Sequence, residues 1–429
     1  MVLVQPVGRN KLAQFRHRGS AFAVGLPELR KLVPAYANVQ VRNLVELQMS
    51  IVGRRYDTGE VVRLEWLEGR IASVTPADDS DVPWLAPGLV DLQINGFCGQ
   101  EFNDLDLTID KVRQVTLAFD EHGVTSYLPT MTTHSFEVIG HAMKTIVASR
   151  REYPDVAARI PGFHLEGPYI SSEDGPRGAH PLEHCRPPCW DEFCRWQDAA
   201  EGLIRILTLA PEYPGSAEFI GRVAQTGVVV AIGHTAANSD QIRAAVDAGA
   251  SMSTHLGNGA HGQIRRHPNY LWDQLADDRL IVSLIVDGHH LPPEVVKTFV
   301  RAKSPQRCVL VSDIVGMAGM PPGAYPNTSV GSIEILIDGR IVVAGQRQLN
   351  AGAALPLTVG VAKVIRFGEV SLFEAIQMAS SRPAELIGER PNLLRVGDPA
   401  DLITFDLPGD DQDRIMLRSV IKSGEKVGV

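Results

Sequence analysis

Short apolar runs that end near a polar residue recur along the chain between residues 88 and 313. Eight of these runs have the length and composition of buried strands. Helical periodicity follows most of them, for example behind Asn238, which is a good helix N-cap. The runs are 88–95, 123–129, 159–166, 203–210, 227–234, 250–256, 280–287 and 307–313. Alternating strands and helices over this length predict an α/β fold, a TIM-like (β/α)8 barrel.

Strand-like patterns also occur at both ends of the chain, outside the predicted barrel. Residues 41–76 alternate apolar and polar positions, the period of half-buried strands, and residues 392–429 return to strand-like character. We therefore predict a small β-sandwich domain built from both chain ends. In this division, 1–86 and 392–429 flank a barrel that covers 87–391.

Three further elements are predicted around this framework. Residues 331–344 indicate a hairpin whose turn contains Asp338-Gly339. Helical patterns cover about 353–367 and about 371–386. The first 40 residues are irregular, apart from a short helical pattern in the sequence LPELRKLV.

Charge and composition exclude several classes of function. A formal net charge of −9 opposes binding to nucleic acid or to anionic membranes, which requires an excess of Lys and Arg. No apolar stretch approaches the ~20 residues of a membrane span, and the amino end lacks the apolar core of a secretory signal. Five cysteines, an odd number, predict reduced thiols and a cytoplasmic location. Cys185, Cys189 and Cys194 beside His184 have spacings that fit no standard zinc pattern.

Three metal-ligating residue types lie at the ends of three different predicted strands. Glu166 closes the third run, His234 the fifth, and His255 lies near the end of the sixth. Two imidazoles and one carboxylate are the ligand set of a catalytic zinc ion that keeps one position open for water. Alternatively, each histidine could satisfy a backbone group while Glu166 pairs with an arginine. The recurrence of position favours the metal site, because catalytic groups of such barrels come from the carboxyl ends of the strands.

Four more residues have positions that suit chemistry or binding. Asp313 follows the apolar residues of the eighth run, where it would be a proton acceptor beside a metal-activated water, or else a cap of the next loop. His180 lies in a loop rich in Gly and Pro, and His290 follows the seventh run. Arg266, next to Arg265, offers a guanidinium fork suited to phosphate or carboxylate.

The sequence resembles the N-acetylglucosamine-6-phosphate deacetylases of the amidohydrolase superfamily. The segments that carry the resemblance occur in family order and are PGLVDLQINGFCGQEFND (87–104), GVTSYLPTMTT (123–133), FHLEGPY (163–169), GAHP (178–181), TLAPE (208–212), IGHT (232–235), THLGN (254–258), DGHH (287–290), LVSD (310–313) and GDPADL (397–402). The resemblance implies that Glu166, His234 and His255 bind a divalent metal. It also implies that Asp313 is the general base and that His180 contacts the acetyl carbonyl.

The resemblance further implies how the substrate is held. His290 and Arg266 match positions that hold the sugar phosphate, and Asn258 with Gly259 would contribute contacts to it. In the family this arginine reaches into the neighbouring subunit's site, which implies a homodimer. The segment HLGNGAHG, the residue Arg265 and the residue Ala353 depart from the family pattern on the wall that recognises the ligand, and leave the metal centre intact.

The first strand indicates how many metal ions are bound. Many members of the superfamily carry His-x-His there, whereas this chain has Gln93-Ile94-Asn95, which resembles the single-metal branch. Neutral amides are weak zinc ligands, so we expect one divalent ion per subunit, zinc by its ligand set, with Gln93 and Asn95 assigned to the substrate side. The expected reaction is hydrolysis of the acetamido group of N-acetylglucosamine 6-phosphate or a close amino-sugar phosphate. The alternatives are an amidohydrolase acting on another N-acyl compound, such as an N-acyl amino acid or an unphosphorylated amino sugar, and a barrel that serves only as a scaffold.

Overall fold

A curled, mostly antiparallel sheet, with one parallel pair between Met49–Arg55 and Trp84–Pro87, joins strands from the two ends of the described chain. The computed structural model describes residues 49–328, 331–409 and 412–429, so the predicted features before residue 49 lie outside the described residues. The first strands of the sheet are β1 (Met49–Arg55), β2 (Val61–Leu67), β3 (Arg70–Pro76) and β4 (Trp84–Pro87). The strands Leu402–Asp406, Met416–Lys422 and Glu425–Gly428 from the carboxyl end complete it. Among the described residues, the sheet runs from Glu425–Gly428 through Met416–Lys422 and Leu402–Asp406 to β4, and then through β1 and β2 to β3.

The barrel follows directly after β4, with two short strands after its first strand. The elements are β5 (Leu89–Ile94), β6 (Gly96–Phe97), β7 (Gln100–Glu101), β8 (Val124–Met131), β9 (Phe163–Glu166), β10 (Ile204–Leu209), β11 (Val229–Ile232), β12 (Ala250–Ser253), β13 (Ile281–Leu284) and β14 (Cys308–Leu310). Without β6 and β7, which form a separate hairpin, eight of the described strands pair in parallel in the order β14-β13-β12-β11-β10-β9-β8-β5. The predicted barrel is confirmed.

The barrel closes between its first and last strands. A parallel bridge joins Ile94 to Ile314, and the amide of Asn95 donates to the carbonyl of Ile314 at 2.8 Å. The amide of Ser312 donates to both carboxylate oxygens of Asp91 at 3.2 Å. Asp91 is completely buried where the barrel closes. Its carboxylate accepts the Ser312 amide hydrogen in place of the backbone carbonyl that would accept it in a regular ladder.

The remaining strands follow the barrel. They are β15 (Gly323–Thr328), β16 (Gly331–Ile335), β17 (Ile341–Val343), β18 (Gln346–Asn350), β19 (Leu402–Asp406), β20 (Met416–Lys422) and β21 (Glu425–Gly428). The predicted hairpin at 331–344 corresponds to β16 and β17, which β15 and β18 extend to an antiparallel sheet of four described strands.

The helices pack around the barrel. They are α1 (Ile109–Ala118), α2 (Phe136–Glu152), α3 (Pro154–Ala157), α4 (Trp190–Ala199), α5 (Ser216–Gln225), α6 (Ser239–Ala248), α7 (Tyr270–Ala276), α8 (Pro293–Lys303), α9 (Leu357–Gly368), α10 (Leu372–Ala379) and α11 (Ser381–Leu386). Asn238 caps α6 as predicted, in a capping box with Gln241. The single helix predicted at 371–386 is two helices, because Pro383 has no amide hydrogen to continue the ladder from Ala379.

Two apolar layers hold the barrel together. Leu92, Ile206 and Val309 belong to the cluster that fills its interior, while Leu207 and Leu284 belong to the larger cluster shared with the helices. This alternation is the period of two that a strand imposes on its side chains. Because the interior is filled by side chains, a ligand can enter only at the mouth of the barrel.

The terminal sheet has its own small core. Leu64 and Trp66 of β2 share an apolar cluster with Leu402 of β19 and Ile421 of β20, although these strands lie on opposite sides of the sheet order. The indole nitrogen of Trp66 also donates to the carbonyl of Gly424 at 2.8 Å. The sheet therefore curls until its two halves face each other, as the predicted sandwich requires. The division of the chain at residues 86 and 391 stays a prediction.

None of the helices in the described ranges combines the length and the apolar character that a bilayer crossing requires.

The burial of Asp91 generates a prediction about stability and pH. Burial raises the pKa of the Asp91 carboxyl to about 7. A carboxyl whose pKa is raised by folding contributes stability below its unfolded pKa, and this contribution is lost as pH rises through the folded pKa. We expect the melting temperature of Asp91→Asn, relative to the unmodified protein, to rise between about pH 4 and about pH 7. Thermal melts of both proteins over this range measure the difference; a constant or falling difference would contradict the assignment.

Candidate metal centre and catalytic site

Three buried side chains from different strands meet at the mouth of the barrel. Glu166 is the last residue of β9, while His234 and His255 each lie two residues beyond the ends of β11 and β12. Glu166 Oε1 lies 2.9 Å from His255 Nε2 and 3.2 Å from His234 Nε2, and the two nitrogens are 3.1 Å apart. Ligands at zinc distances of about 2.0–2.1 Å in a tetrahedron are about 3.3 Å apart, so this triangle has the size that a divalent metal requires. Within the described ranges it is the one group of three such residues with this geometry.

The backbone at these strand ends is unusual. His234, His255 and Asp313 have φ values of 50°, 28° and 52°, in the left-handed region that side chains other than glycine rarely adopt. The carbonyl of His234 accepts from the amide of Ser171 at 2.9 Å, and the amide of His255 donates to Ser283 Oγ at 2.7 Å. The strands end before these residues, which lets the side chains turn toward the barrel axis. Strain of this kind is commonly found at functional sites.

The ring of His234 is held in one orientation. Its Nδ1 lies 2.8 Å from the carbonyl oxygen of Pro176, an acceptor only, so Nδ1 carries the hydrogen and Nε2 is left to bind a metal. Gly259 lies against the ring with φ of 54°, and a Cβ there would come within 2.6 Å of Nδ1. Only glycine therefore fits at position 259 without moving the ligand.

Glu212 fixes the segment that follows His234. Its carboxylate accepts from Thr235 Oγ1 at 2.6 Å and from the amide of Ala236 at 2.9 Å. This support was not predicted from the sequence, although Glu212 lies only two residues beyond the fourth apolar run, which ends at residue 210. A hydrogen-bonded carboxylate beside a ligand loop restricts the positions that the ligand can take.

The charge of Glu166 is stabilised by its neighbours. Burial would raise the pKa of Glu166, but its close contacts with the His234 and His255 rings outweigh burial and hold this pKa well below its ordinary value. Gln93 Nε2 also donates to Glu166 Oε1 at 3.1 Å. The Gln93 amide therefore contacts Glu166, a candidate metal ligand, and does not line the cavity. The contact predicted between Gln93 and the substrate stays a prediction.

Asp313 lies in the same cavity as the ligand triangle. Its Oδ1 accepts a hydrogen bond from Asn95 Nδ2 at 2.9 Å, which orients the carboxylate. Burial, and next the negative charge of Glu166, raise the pKa of Asp313 to about 6. A carboxyl group with a pKa near neutrality exchanges protons readily at physiological pH, as a general base must.

His180 completes this part of the wall. Its Nε2 lies 3.3 Å from His234 Nε2, with the ring centroids 4.4 Å apart. Burial, and next the charge of His234, lower the pKa of His180 to about 3, so the ring is neutral at physiological pH. A neutral imidazole here can donate one hydrogen bond to a carbonyl oxygen.

A cavity of about 290 Å³ connects these groups. The described residues that line it include most of the predicted site, namely Asn95, Glu166, His180, His234, His255, Asn258, Gly259, His290 and Asp313. Glu101, Asn103 and Met317 also line it and were not predicted. Arg266 does not line the cavity and is exposed in the loop that follows Gly259.

The five cysteines are all described and none forms a disulfide. Cys189 is exposed, and Cys185 Sγ approaches the carbonyl of Pro181 at 3.5 Å. No described group of metal-ligating residues contains Cys185, Cys189 or Cys194.

In sequence, this chain matches the model of a known protein family and resembles several deacetylases. The Amidohydrolase family model matches residues 84–427. The N-acetylgalactosamine-6-phosphate deacetylase of Escherichia coli O157:H7 is 32% identical over 350 residues, covering 80% of this chain and 90% of the relative. The N-acetylglucosamine-6-phosphate deacetylase of Homo sapiens is 34% identical over 358 residues, covering 80% of this chain and 83% of the relative.

Solved structures share the fold. A mutant N-acetyl-D-glucosamine-6-phosphate deacetylase from Mycobacterium smegmatis, in complex with N-acetyl-D-glucosamine 6-phosphate, has a TM-score of 0.79 at 29% identity. The match covers 89% of this chain and 100% of that one. The N-acetylglucosamine-6-phosphate deacetylase from Thermotoga maritima has a TM-score of 0.76 at 27% identity, covering 88% and 99%. This chain therefore belongs to the amidohydrolase family, and within it to the group of N-acetylhexosamine-6-phosphate deacetylases.

Proposed function

We propose that this protein hydrolyses the N-acetyl group of N-acetylglucosamine 6-phosphate, or of a close amino-sugar phosphate, to acetate and the amino-sugar phosphate. One observation carries the proposal: the ligand triangle Glu166, His234 and His255 shares a cavity with Asp313 and His180. A cavity of about 290 Å³ is at the lower end of the range for small-molecule sites, which suits a monosaccharide phosphate. The names of the curated relatives support the same substrate class.

The site is proposed to hold one divalent ion per subunit, and zinc best suits the donor set. Two imidazole nitrogens and one carboxylate oxygen at this spacing are typical of catalytic zinc. Gln93 and Asn95 donate through their NH₂ groups to Glu166 and Asp313, and their neutral amide oxygens are weak zinc ligands compared with imidazole, so a single ion is proposed. When bound, the ion supplies Lewis acidity that acidifies water and polarises a carbonyl group.

The chain's own residues would move the proton. Asp313, oriented by Asn95, accepts a proton from the water that attacks the acetyl carbonyl carbon. His180 donates a hydrogen bond to the carbonyl oxygen as negative charge develops there. Asp313 then returns the proton to the departing nitrogen as the C–N bond breaks, so that acetate and a free amine leave.

The phosphate end of the substrate is assigned to His290, Asn258 and Gly259, with Arg266 from a second copy of the chain. The first three line the cavity, whereas Arg266 is exposed outside it. Among the described hydrogen bonds, Arg266 takes part through its backbone carbonyl, which accepts from Asn269 Nδ2 at 3.3 Å. An exposed cation in the loop that follows the cavity-lining Gly259 is available to another subunit, which supports a homodimer. Five unpaired cysteines support a cytoplasmic location.

The substrate range can be tested by acetate release. We expect 6-phosphates of N-acetylglucosamine or N-acetylgalactosamine to exceed their unphosphorylated forms by roughly 100-fold in kcat/KM, because charged hydrogen bonds contribute about 1.5–3 kcal/mol each. Arg266→Ala should raise KM for the phosphorylated sugar and leave the unphosphorylated one unchanged. Activity toward N-acyl amino acids alone would favour the alternative amidohydrolase, and a lack of activity and of bound metal would favour a scaffold.

Metal content provides an independent test. We expect about one equivalent of divalent metal in the purified protein and on the order of 10-fold weaker binding, or more, in His255→Asn, which loses one of three donors. Elemental analysis after dialysis against a weak chelator measures both. Cys185→Ser, outside the triangle, is the matched control and should keep its metal. Equal metal in all three proteins would exclude the triangle as the binding site.

Asp313 is tested separately from the metal. Asp313→Asn keeps the shape of the side chain and a hydrogen-bonding partner for Asn95 but cannot accept a proton. We expect unchanged metal content and a loss of kcat of about 10²-fold or more, as expected for a general base. Steady-state kinetics on the metal-loaded variant gives the answer, and a kcat within about twofold of the unmodified enzyme would remove Asp313 from this role.

A further inference from the structure

The segment after β13 contains a buried carboxylate that contacts a cavity residue. Asp287 Oδ1 accepts from the backbone amides of His289 and His290 at 2.8 and 2.9 Å. Asp287 Oδ2 lies 2.7 Å from Nδ1 of the His290 ring. The side chains of Asp287 and His290 are 6% and 9% exposed, so this pair is shielded from water.

The backbone of Asp287 is held from behind by α9. Lys363 Nζ donates to the carbonyl oxygen of Asp287 at 2.8 Å, and Lys363 is itself buried. Gly288 lies between them with φ of 81°, and a Cβ at this position would come within 2.6 Å of Lys363 Nζ. The backbone conformation favours glycine at position 288, and a side chain there would also displace the ammonium group from the Asp287 carbonyl.

These contacts determine which nitrogen of His290 carries the hydrogen. Burial would raise the pKa of Asp287, but the hydrogen bond and charge of His290 outweigh burial and hold this pKa at about 2. An ionised carboxylate only accepts hydrogen bonds, so Nδ1 of His290 must be the donor. His290 lines the cavity, and Nε2 is its remaining ring nitrogen.

We propose that Asp287 is a positioning residue for substrate binding: it holds His290 with Nδ1–H turned to the protein and stabilises the doubly protonated ring, whose Nε2–H then donates to an anionic oxygen of the substrate. The inference rests on the proposed function, because it concerns the residue that orients His290, and His290 is proposed to bind the substrate phosphate. As the phosphate approaches, a doubly protonated His290 ring can donate to both carboxylate and phosphate, with Asp287 stabilising its positive charge. Lys363 contributes by keeping the Asp287 backbone in place.

The contacts distinguish this role from that of a simple turn cap. An Asx turn needs only the Oδ1 contacts to the two backbone amides. The 2.7 Å contact from Oδ2 to the His290 ring is additional, and it lies between two side chains that are nearly inaccessible. Burial of a carboxylate is costly unless each oxygen is satisfied, so the ring is part of what stabilises Asp287.

The position of the proton can be measured in the unmodified, metal-loaded protein. Long-range ¹H–¹⁵N correlation spectra of histidine-labelled protein, assigned with His290→Gln, report which ring nitrogens carry hydrogen. We expect Nδ1 of His290 to be protonated throughout the pH range in which the protein is folded. A neutral ring with hydrogen on Nε2 and a bare Nδ1 would overturn the proposal without any need for a variant.

Kinetics of Asp287→Asn test the consequence. The amide oxygen can still accept from both backbone amides, but its neutral NH₂ group then faces Nδ1, so the doubly protonated, charged form of the His290 ring loses the carboxylate that stabilises it. We expect KM for the phosphorylated sugar to rise on the order of 10-fold, the usual effect of losing a partner that orients a histidine, while kcat changes less than about threefold. An unchanged KM, or a loss confined to kcat, would contradict the role.

Two comparisons separate positioning from general stability. Asp398→Asn is the matched control, because Asp398 is buried and accepts from two backbone amides, of Leu393 and Arg395, in a loop away from the cavity. It should leave KM unchanged, and an equal rise there would overturn the proposal. In a His290→Gln background, Asp287→Asn should have no further effect on KM, since Asp287 acts through His290.

Failure of this inference differs from failure of the proposed function. If no N-acetylhexosamine 6-phosphate is hydrolysed, the proposed reaction is wrong, but the spectra still report the His290 proton. Titration of the metal-loaded protein with inorganic phosphate then replaces kinetics, and Asp287→Asn should weaken phosphate binding on the order of 10-fold. Equal affinity of variant and unmodified protein for phosphate, with normal metal content, would reject the role of Asp287.

Discussion

The buried negative charge at the barrel mouth is the constraint on which the site depends. Glu166 and Asp313 face the same cavity, where their carboxylates repel each other and burial disfavours their charged forms. The protein stabilises Glu166 with two imidazoles and an amide, and orients Asp313 with Asn95. As a result Glu166 stays ionised while the pKa of Asp313 is raised. One carboxylate is thereby suited to hold a cation and the other to exchange a proton.

The parallel barrel makes this convergence possible. Its strands all end at the same mouth, so residues distant in sequence such as Glu166 and Asp313 share one cavity without long loops. The filled interior below them supplies a rigid floor, and the closure through Asp91 joins the first strand to the last. Because left-handed backbone at His234, His255 and Asp313 is unfavourable by itself, the packed barrel must impose it.

A second set of residues holds the first in place, and it has a common chemistry. Glu212 binds the segment after His234, the Pro176 carbonyl orients the His234 ring, and Asp287 orients His290. In each case an oxygen atom accepts a hydrogen bond from a ring or a hydroxyl group and thereby fixes its orientation. Orientation of this kind reduces the entropy that the side chains would otherwise lose when a ligand binds.

The amino-acid sequence by itself determined the eight-stranded barrel, the polar residues at its strand ends and the resemblance to the deacetylases, because periodicity and strand-end position are local properties. It did not determine the break at Pro383 correctly, nor that Gln93 faces Glu166 while Asn95 faces Asp313. Side-chain direction at a strand end depends on where the strand stops and how the backbone turns, as at His234. Only the tertiary structure decided the partners Glu212, Asp287 and Lys363, since their contacts come from close packing of separate segments, which no local pattern encodes.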